Sequence, residues 1–155
     1  MGLVSGPVDT SVLMSTSGGN ALRAKIEGFV TRIRAGKQFV TMDEGEVLRL
    51  PGVLAADVAE VAALSGEGRL LVFPLEEIKE LPSGGRGVVA MKLHEGEAML
   101  GVRPVTADLA IAAVGRSDKR ITITIDKKTI AHYRGARART GRVLQPYFKR
   151  VEGFE

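Results

Sequence analysis

The 155-residue sequence predicts an all-β fold assembled from repeated units of four antiparallel strands. Three observations predict it: an internal repeat, glycine turns at matching places in its copies, and strand-type alternation beside those turns. Shifting the chain by 49 positions superposes Val12 on Val61, Gly19 on Gly68, Leu22 on Leu71, Gly36 on Gly85, Val40 on Val89 and Met42 on Met91 without a gap. A unit of this size cannot bury its own apolar face, so neighbours must stack, as propeller-like blades do. The copies fall at about 12–57, 58–107 and 108–155 within a single domain over 1–155, giving about three blades. The third copy is divergent: Arg120-Ile121 falls on Arg69-Leu70 only at a shift of 51.

Each unit opens on a hairpin. The turns are Ser17-Gly18-Gly19-Asn20, Ser65-Gly66-Glu67-Gly68 and Gly115-Arg116-Ser117-Asp118, rich in residues that accept a left-handed backbone or bond their own main chain. Beyond the last turn, Ile121, Ile123 and Ile125 alternate with Thr122 and Thr124, which places isoleucines on one face and threonines on the other. Leu70 to Phe73 precedes Pro74, as a strand that stops there would. Residues Phe39 to Met42 and Val88 to Met91 lead into the acidic turns Asp43-Glu44-Gly45-Glu46 and His94-Glu95-Gly96-Glu97. Val47-Leu48 and Ala98-Met99-Leu100 return, so a second hairpin is expected to close each unit. Ala55 to Leu64 is helical by propensity, yet repeat position makes Val58 to Leu64 a strand. Leu75, Ile78 and Leu81, at helical spacing before Pro82, form one short helical turn in a connection.

Composition narrows the function. The chain has no Cys, which excludes disulfides, a thiol nucleophile and thiolate-bound zinc. No run approaches the roughly 18 apolar residues of a membrane span, and no basic residue precedes Arg23, so a cytoplasmic location is expected. Net charge is +4, but it is unevenly spread: −2 over residues 1–105 (11 basic, 13 acidic) and +6 over 106–155 (11 basic, 5 acidic). Such asymmetry suits a polyanion-binding surface, and equally a solvated basic tail.

Motifs for catalysis are missing: there is no phosphate-binding P-loop, no His-Glu-x-x-His pair and no Gly-x-Ser-x-Gly elbow. His94 and His132 have no matched metal-ligand spacing, Asp43, Glu44 and Glu46 read as a solvated hairpin tip, and Tyr133 reads as structural. What recurs is a glycine-plus-basic loop, with Lys37 after Gly36 and Arg86 after Gly84-Gly85. Glycine lets the backbone approach closely, so main-chain N–H groups and a neighbouring cation can hold a phosphate. The bland alternative is that these glycines only punctuate turns and the cations are solvated. Arg134, Arg137, Arg139 and Arg142 form a terminal basic cluster, and Lys119, Arg120, Lys127 and Lys128 bracket the isoleucine strand.

The period near 49, the segment Gly68-Arg69-Leu70-Leu71-Val72-Phe73-Pro74 and the loop Ser83-Gly84-Gly85-Arg86-Gly87-Val88 together resemble the C-terminal DNA-binding domain of bacterial type II topoisomerase A subunits. Phe29 to Lys37 and Gly135 to Arg142 make the topoisomerase IV type the closer likeness. The resemblance runs from about Val12 onward and implies a β-pinwheel, a disc of four-stranded blades whose rim binds and bends duplex DNA for strand passage. Arg34-Ala35-Gly36-Lys37-Gln38 and Gly84 to Gly87 are only remnants of the gyrase wrapping box, so full wrapping is not expected. With about three blades the chain corresponds to the last part of such a disc, with two uncovered apolar flanks, and is expected to pair with a second copy or keep mobile ends.

The resemblance also implies which groups act. Phosphate contacts are expected from Arg32, Arg34, Lys37 and Arg86, from Lys119, Arg120, Lys127 and Lys128, and from Arg137, Arg139 and Arg142. No cofactor is expected in this chain. ATP, magnesium and the cleaving tyrosine belong to other domains or to the partner B chain of the enzyme. The implied partners are duplex DNA, the catalytic core of the same polypeptide and the B subunit of the topoisomerase, with no membrane, at the nucleoid. Two other readings stand beside it on the residues alone. One is a β-rich protein-interaction module without nucleic-acid binding. The other is a small enzyme acting on a polyanion, for which no clustered acid, base or nucleophile is seen.

Overall fold

Three tight reversals organise the chain. At Gly19, Gly68 and Asp118 the backbone turns left-handed, with φ of +94°, +82° and +58°. Their N–H groups donate back to the carbonyls of Thr16, Ser65 and Gly115. In the computed structural model, which describes residues 10–27, 40–82, 84–145 and 148–155, these turns join β1 (Ser11–Ser15) to β2 (Asn20–Lys25), β4 (Glu60–Ser65) to β5 (Arg69–Pro74) and β8 (Leu109–Val114) to β9 (Arg120–Ile125). The pairs Ser15↔Ala21, Leu64↔Leu70 and Val114↔Arg120 define equivalent positions. Arg120 therefore corresponds to Leu70, not to Arg69 as the shift of 51 suggests.

The remaining strands are β3 (Gly52–Leu54), β6 (Val88–Val89), β7 (Met99–Pro104), β10 (Arg142–Val143) and β11 (Arg150–Phe154). Among the described residues they complete three antiparallel sheets, ordered β3-β1-β2-β6, β10-β5-β4-β7 and β11-β8-β9. Among the described residues the expected closing hairpin is absent. Its two arms part: β6 pairs with β2 of the preceding unit, while β7 returns to β4 of its own. Sheet two acquires its outer strand in the same way, from β10 of the third unit. Four strands per sheet thus arise by exchange in the first two sheets, because the exposed edges of β2 and β5 offer unpaired backbone groups that the next unit satisfies.

Packing explains why the alanine-rich segment is a strand. Val61, Ala62, Ala63 and Leu64 of β4 are all fully buried. Val61 and Ala63 face Leu13, Ala21 and Leu54 of sheet one, while Ala62 and Leu64 face Ile111, Ala113 and Ile123 of sheet three. A strand buried on both faces reads as a continuous apolar run, and two-sided burial outweighs the few tenths of a kcal/mol per residue by which alanine prefers helix. The Leu75–Glu77 segment is a single 3-10 turn, and Ile130–Tyr133 is another.

The two ends of the stack differ from the expected pair of apolar flanks. On sheet one, Val12, Met14, Leu22 and Ala24 are covered by Val40, with Ile26, Met42 and Leu81 packed against them. On sheet three the outward positions are polar: Arg120 stands where Ala21 and Leu70 are buried in the other units, followed by exposed Thr122 and Thr124. Arg120 pairs with Glu152 at 3.5 Å, and the Thr122 hydroxyl donates to Glu155 at 2.8 Å. Exposed large apolar side chains cluster instead along residues 47–53, at Val47, Leu48, Leu50 and Val53.

Candidate nucleic-acid interface

Two loops carry the glycine-plus-basic pattern within the described residues, and their backbones match. Gly84 and Gly87 are left-handed, with φ of +77° and +81°; Ala138 and Gly141 repeat this three-residue spacing at +66° and +78°. A side chain at Gly87 would stand 2.2 Å from the Ala21 carbonyl oxygen, and one at Gly141 would stand 2.7 Å from that of Leu70. Both glycines are therefore required where the exchanged strand enters the neighbouring sheet. Each loop leads straight into its strand, β6 or β10. Ala138 is the exception to glycine, holding a conformation that costs an L residue about 1 kcal/mol or more.

The predicted cations have different fates. Arg32, Arg34 and Lys37 lie outside the described residues. Arg86 is exposed but pairs with Asp43 at 2.9 Å, and this hydrogen bond and charge hold its guanidinium above its ordinary pKa. Arg137 is half-buried and donates to the Val89 carbonyl at 2.8 Å, so it straps the third unit to β6. Arg134 forms a two-pronged pair with Glu60, at 3.0 and 2.9 Å. Arg139 and Arg142 are exposed and have no carboxylate partner among the described residues.

Lys119 and Arg120 sit at one end of β9 and Lys127 and Lys128 beyond the other, a separation of roughly 17 Å for a six-residue strand. The far turn is built by Asp126, whose carboxylate accepts the Lys128 and Thr129 N–H groups at 2.9 and 2.8 Å and leaves both lysines exposed. The structure thus joins Arg137 and Arg139 in one loop, with Arg142 opening β10 directly after it, and keeps the β9 cations as two separate groups. Of the lesser candidates, Arg23 is tied by its Nε to the Ile78 carbonyl at 2.6 Å.

Tyr133 is buried, its hydroxyl accepting the Gln145 N–H at 3.3 Å and its ring meeting His132 edge-on at 5.1 Å. Asp43 and Glu46 are engaged as turn and ion-pair partners, Glu46 accepting the Asp43 N–H at 2.9 Å. Lys92 is not legible as a site residue from its letters, since Met91-Lys92-Leu93 looks like ordinary strand; its N–H donates to the Arg139 carbonyl at 2.9 Å, which brings it beside the basic loop. Among the described residues no helix is long and apolar enough to cross a membrane.

Comparison with known proteins agrees with this architecture. A family model described as the DNA gyrase C-terminal domain, beta-propeller, matches residues 10–49 and 59–106, together more than half of the chain. The A subunit of DNA topoisomerase 4 from Neisseria gonorrhoeae is 28% identical over 148 residues, covering 92% of this chain and 19% of the relative. The A subunit of DNA gyrase from Helicobacter pylori is 26% identical over 131 residues, covering 82% and 15%. The chain spans about a fifth or less of the length of these relatives. In fold it is similar to the C-terminal domain of E. coli ParC, with a TM-score of 0.79 at 22% identity over 95% of this chain and 61% of that one. It is also similar to the C-terminal domain of DNA topoisomerase IV, at 0.72 and 16% over 95% and 46%. By its stacked sheets of three and four strands, its exchanged strands and the family match, the chain belongs to the DNA gyrase C-terminal domain beta-propeller family, the β-pinwheel of gyrase and topoisomerase IV A subunits.

Proposed function

We propose that this chain binds duplex DNA through phosphate contacts on its basic loops and bends it, without itself performing catalysis, as the C-terminal domain of a topoisomerase IV-type A subunit. The observation that carries the proposal is the exposed pair Arg139 and Arg142, free of carboxylate partners among the described residues, where the loop anchored by Gly141 enters β10 within a segment of net charge +6. Lys119, Arg120, Lys127 and Lys128 extend the basic surface to both ends of β9, and Arg32, Arg34 and Lys37 belong to the same proposal through sequence alone. Arg86, Arg120 and Arg137 contribute less, each being held by a protein partner. The units 12–57, 58–107 and 108–155 act as successive contact points around the rim. The partners are the catalytic core of the same polypeptide and the B subunit of the enzyme, in the cytoplasm at the nucleoid, with ATP and magnesium bound there.

Contacts of this kind give salt-dependent affinity and little base specificity. The test is fluorescence anisotropy of the chain with two duplexes of unrelated sequence across a salt series. Equal affinities that fall linearly in log–log form are expected. Binding confined to one duplex, or independent of salt, would overturn the phosphate-contact reading.

A further inference from the structure

Each unit boundary joins a basic loop to the acidic-turn segment before it, and two such junctions can be compared position by position. At the first, the Thr41 N–H donates to the Gly85 carbonyl at 2.8 Å; at the second, the Lys92 N–H donates to the Arg139 carbonyl at 2.9 Å. The turns that follow are matched as well, Glu46 accepting the Asp43 N–H and Glu97 the His94 N–H, both at 2.9 Å. Thr41 and Lys92 are therefore counterparts, at a shift of 51 rather than the 49 that superposes Val40 on Val89 and Met42 on Met91, as are Asp43 and His94, Gly85 and Arg139, and Arg86 and Thr140.

The charges at these counterparts are opposite in effect. Among the described residues the first junction carries one cation, Arg86, and it is paired with Asp43 at 2.9 Å. The second carries two, Lys92 and Arg139, both exposed and neither with a carboxylate partner among the described residues. His94 replaces the acid there and is occupied elsewhere: its Nδ1 lies 3.2 Å from Glu67 and its Nε2 2.6 Å from Arg69. Glu67 in turn holds Arg69 at 3.2 Å. The cation has also moved by one residue along the loop, from the Arg86 position to that of Arg139.

We propose, on the footing of the DNA-binding reading above, that the second junction is the principal phosphate contact, with Lys92 acting beside Arg139, and that Asp43 holds the first junction silent. Two uncompensated cations on segments joined by a main-chain hydrogen bond raise the local potential together. A phosphate approaching Arg86 must instead displace a carboxylate and then sit next to it. The junctions are alike in backbone and differ in charge, so the chain grips DNA unevenly, at the boundary of the second and third units.

The test uses the whole chain with Lys92→Ala, Arg139→Ala, Arg86→Ala and Asp43→Asn. All four side chains are exposed and the junction's main-chain bonds are retained, with circular dichroism confirming an unchanged fold. Affinity for a labelled duplex of about 20 base pairs is followed between about 50 and 200 mM salt. Lys92→Ala and Arg139→Ala should each weaken binding about fivefold and lower the salt slope by about one. Arg86→Ala should change affinity less than about twofold, and Asp43→Asn should tighten binding and steepen the slope by releasing Arg86. A loss at Arg86→Ala equal to that at Lys92→Ala, or an unchanged Lys92→Ala, overturns the ranking of the junctions. Failure of the unaltered chain to bind any duplex overturns the DNA reading itself.

Discussion

Replacing Gly87 by Ala tests whether strand exchange holds the sheets together. Gly87 has φ of +81°, and an added Cβ would lie 2.2 Å from the oxygen and 2.7 Å from the carbon of the Ala21 carbonyl. That carbonyl is part of β2, so the clash is relieved only by opening the Asn20↔Val89 and Ala21↔Val88 pairing of β2 with β6. The bond from Ala90 N–H to the Gly19 carbonyl, 2.8 Å, would open with it. The left-handed conformation alone costs about 1 kcal/mol, and the loss of about three main-chain hydrogen bonds adds roughly 1 kcal/mol each. The sum is about 4 kcal/mol, a large share of the roughly 5–15 kcal/mol that stabilises an ordinary domain. Gly96 is the internal control, since at φ of +76° it has nothing within 4 Å of the added Cβ. Gly96→Ala should therefore cost only about 1 kcal/mol. Urea unfolding of both variants, with thermal scans expected to differ by roughly 10 °C, measures the contrast. Agreement of the two variants within about 0.5 kcal/mol would refute the claim that the Gly87 entry point stabilises the exchanged strand.

Two further changes probe single positions. Ala138→Gly should leave the chain as stable or up to about 1 kcal/mol more stable, because relief of the left-handed strain at φ of +66° offsets the added freedom of the unfolded chain; a loss beyond about 0.5 kcal/mol in urea unfolding would contradict the strain. The Asp126 carboxyl is held below its ordinary pKa by the Thr129 N–H and hydroxyl, then by the Lys128 N–H. Its stabilisation is present above the ordinary carboxylate range and lost as pH falls through the depressed value. Asp126→Asn should flatten the acid limb of a stability-versus-pH curve, and an unaltered limb would remove those hydrogen bonds from the account.

Hairpins and their stacking are legible in the letters of the chain. The glycine and aspartate turns at Gly19, Gly68 and Asp118, the Ile121-Ile123-Ile125 alternation and the need of small units for neighbours are local or compositional facts, and β1–β2, β4–β5 and β8–β9 form as those facts require. The repeat also outweighs alanine propensity correctly over β4, because two-sided burial is a property of the whole apolar run.

Which strand each arm joins is settled by packing between units. Val88-Val89 and Met99-Leu100 look like two arms of one hairpin, yet they bond to different sheets, since a pair of β-competent residues carries no label for its partner across a unit boundary. The same non-local choice sorts the cations. Arg86 and Arg139 look alike as arginines in small-residue loops, but Asp43 reaches one across the first boundary and His94 leaves the other unmatched across the second. Charge within a segment is legible from its letters, whereas compensation of that charge depends on which loop the fold lays against it, and that is settled by backbone bonds between residues 41 and 85 and between residues 92 and 139.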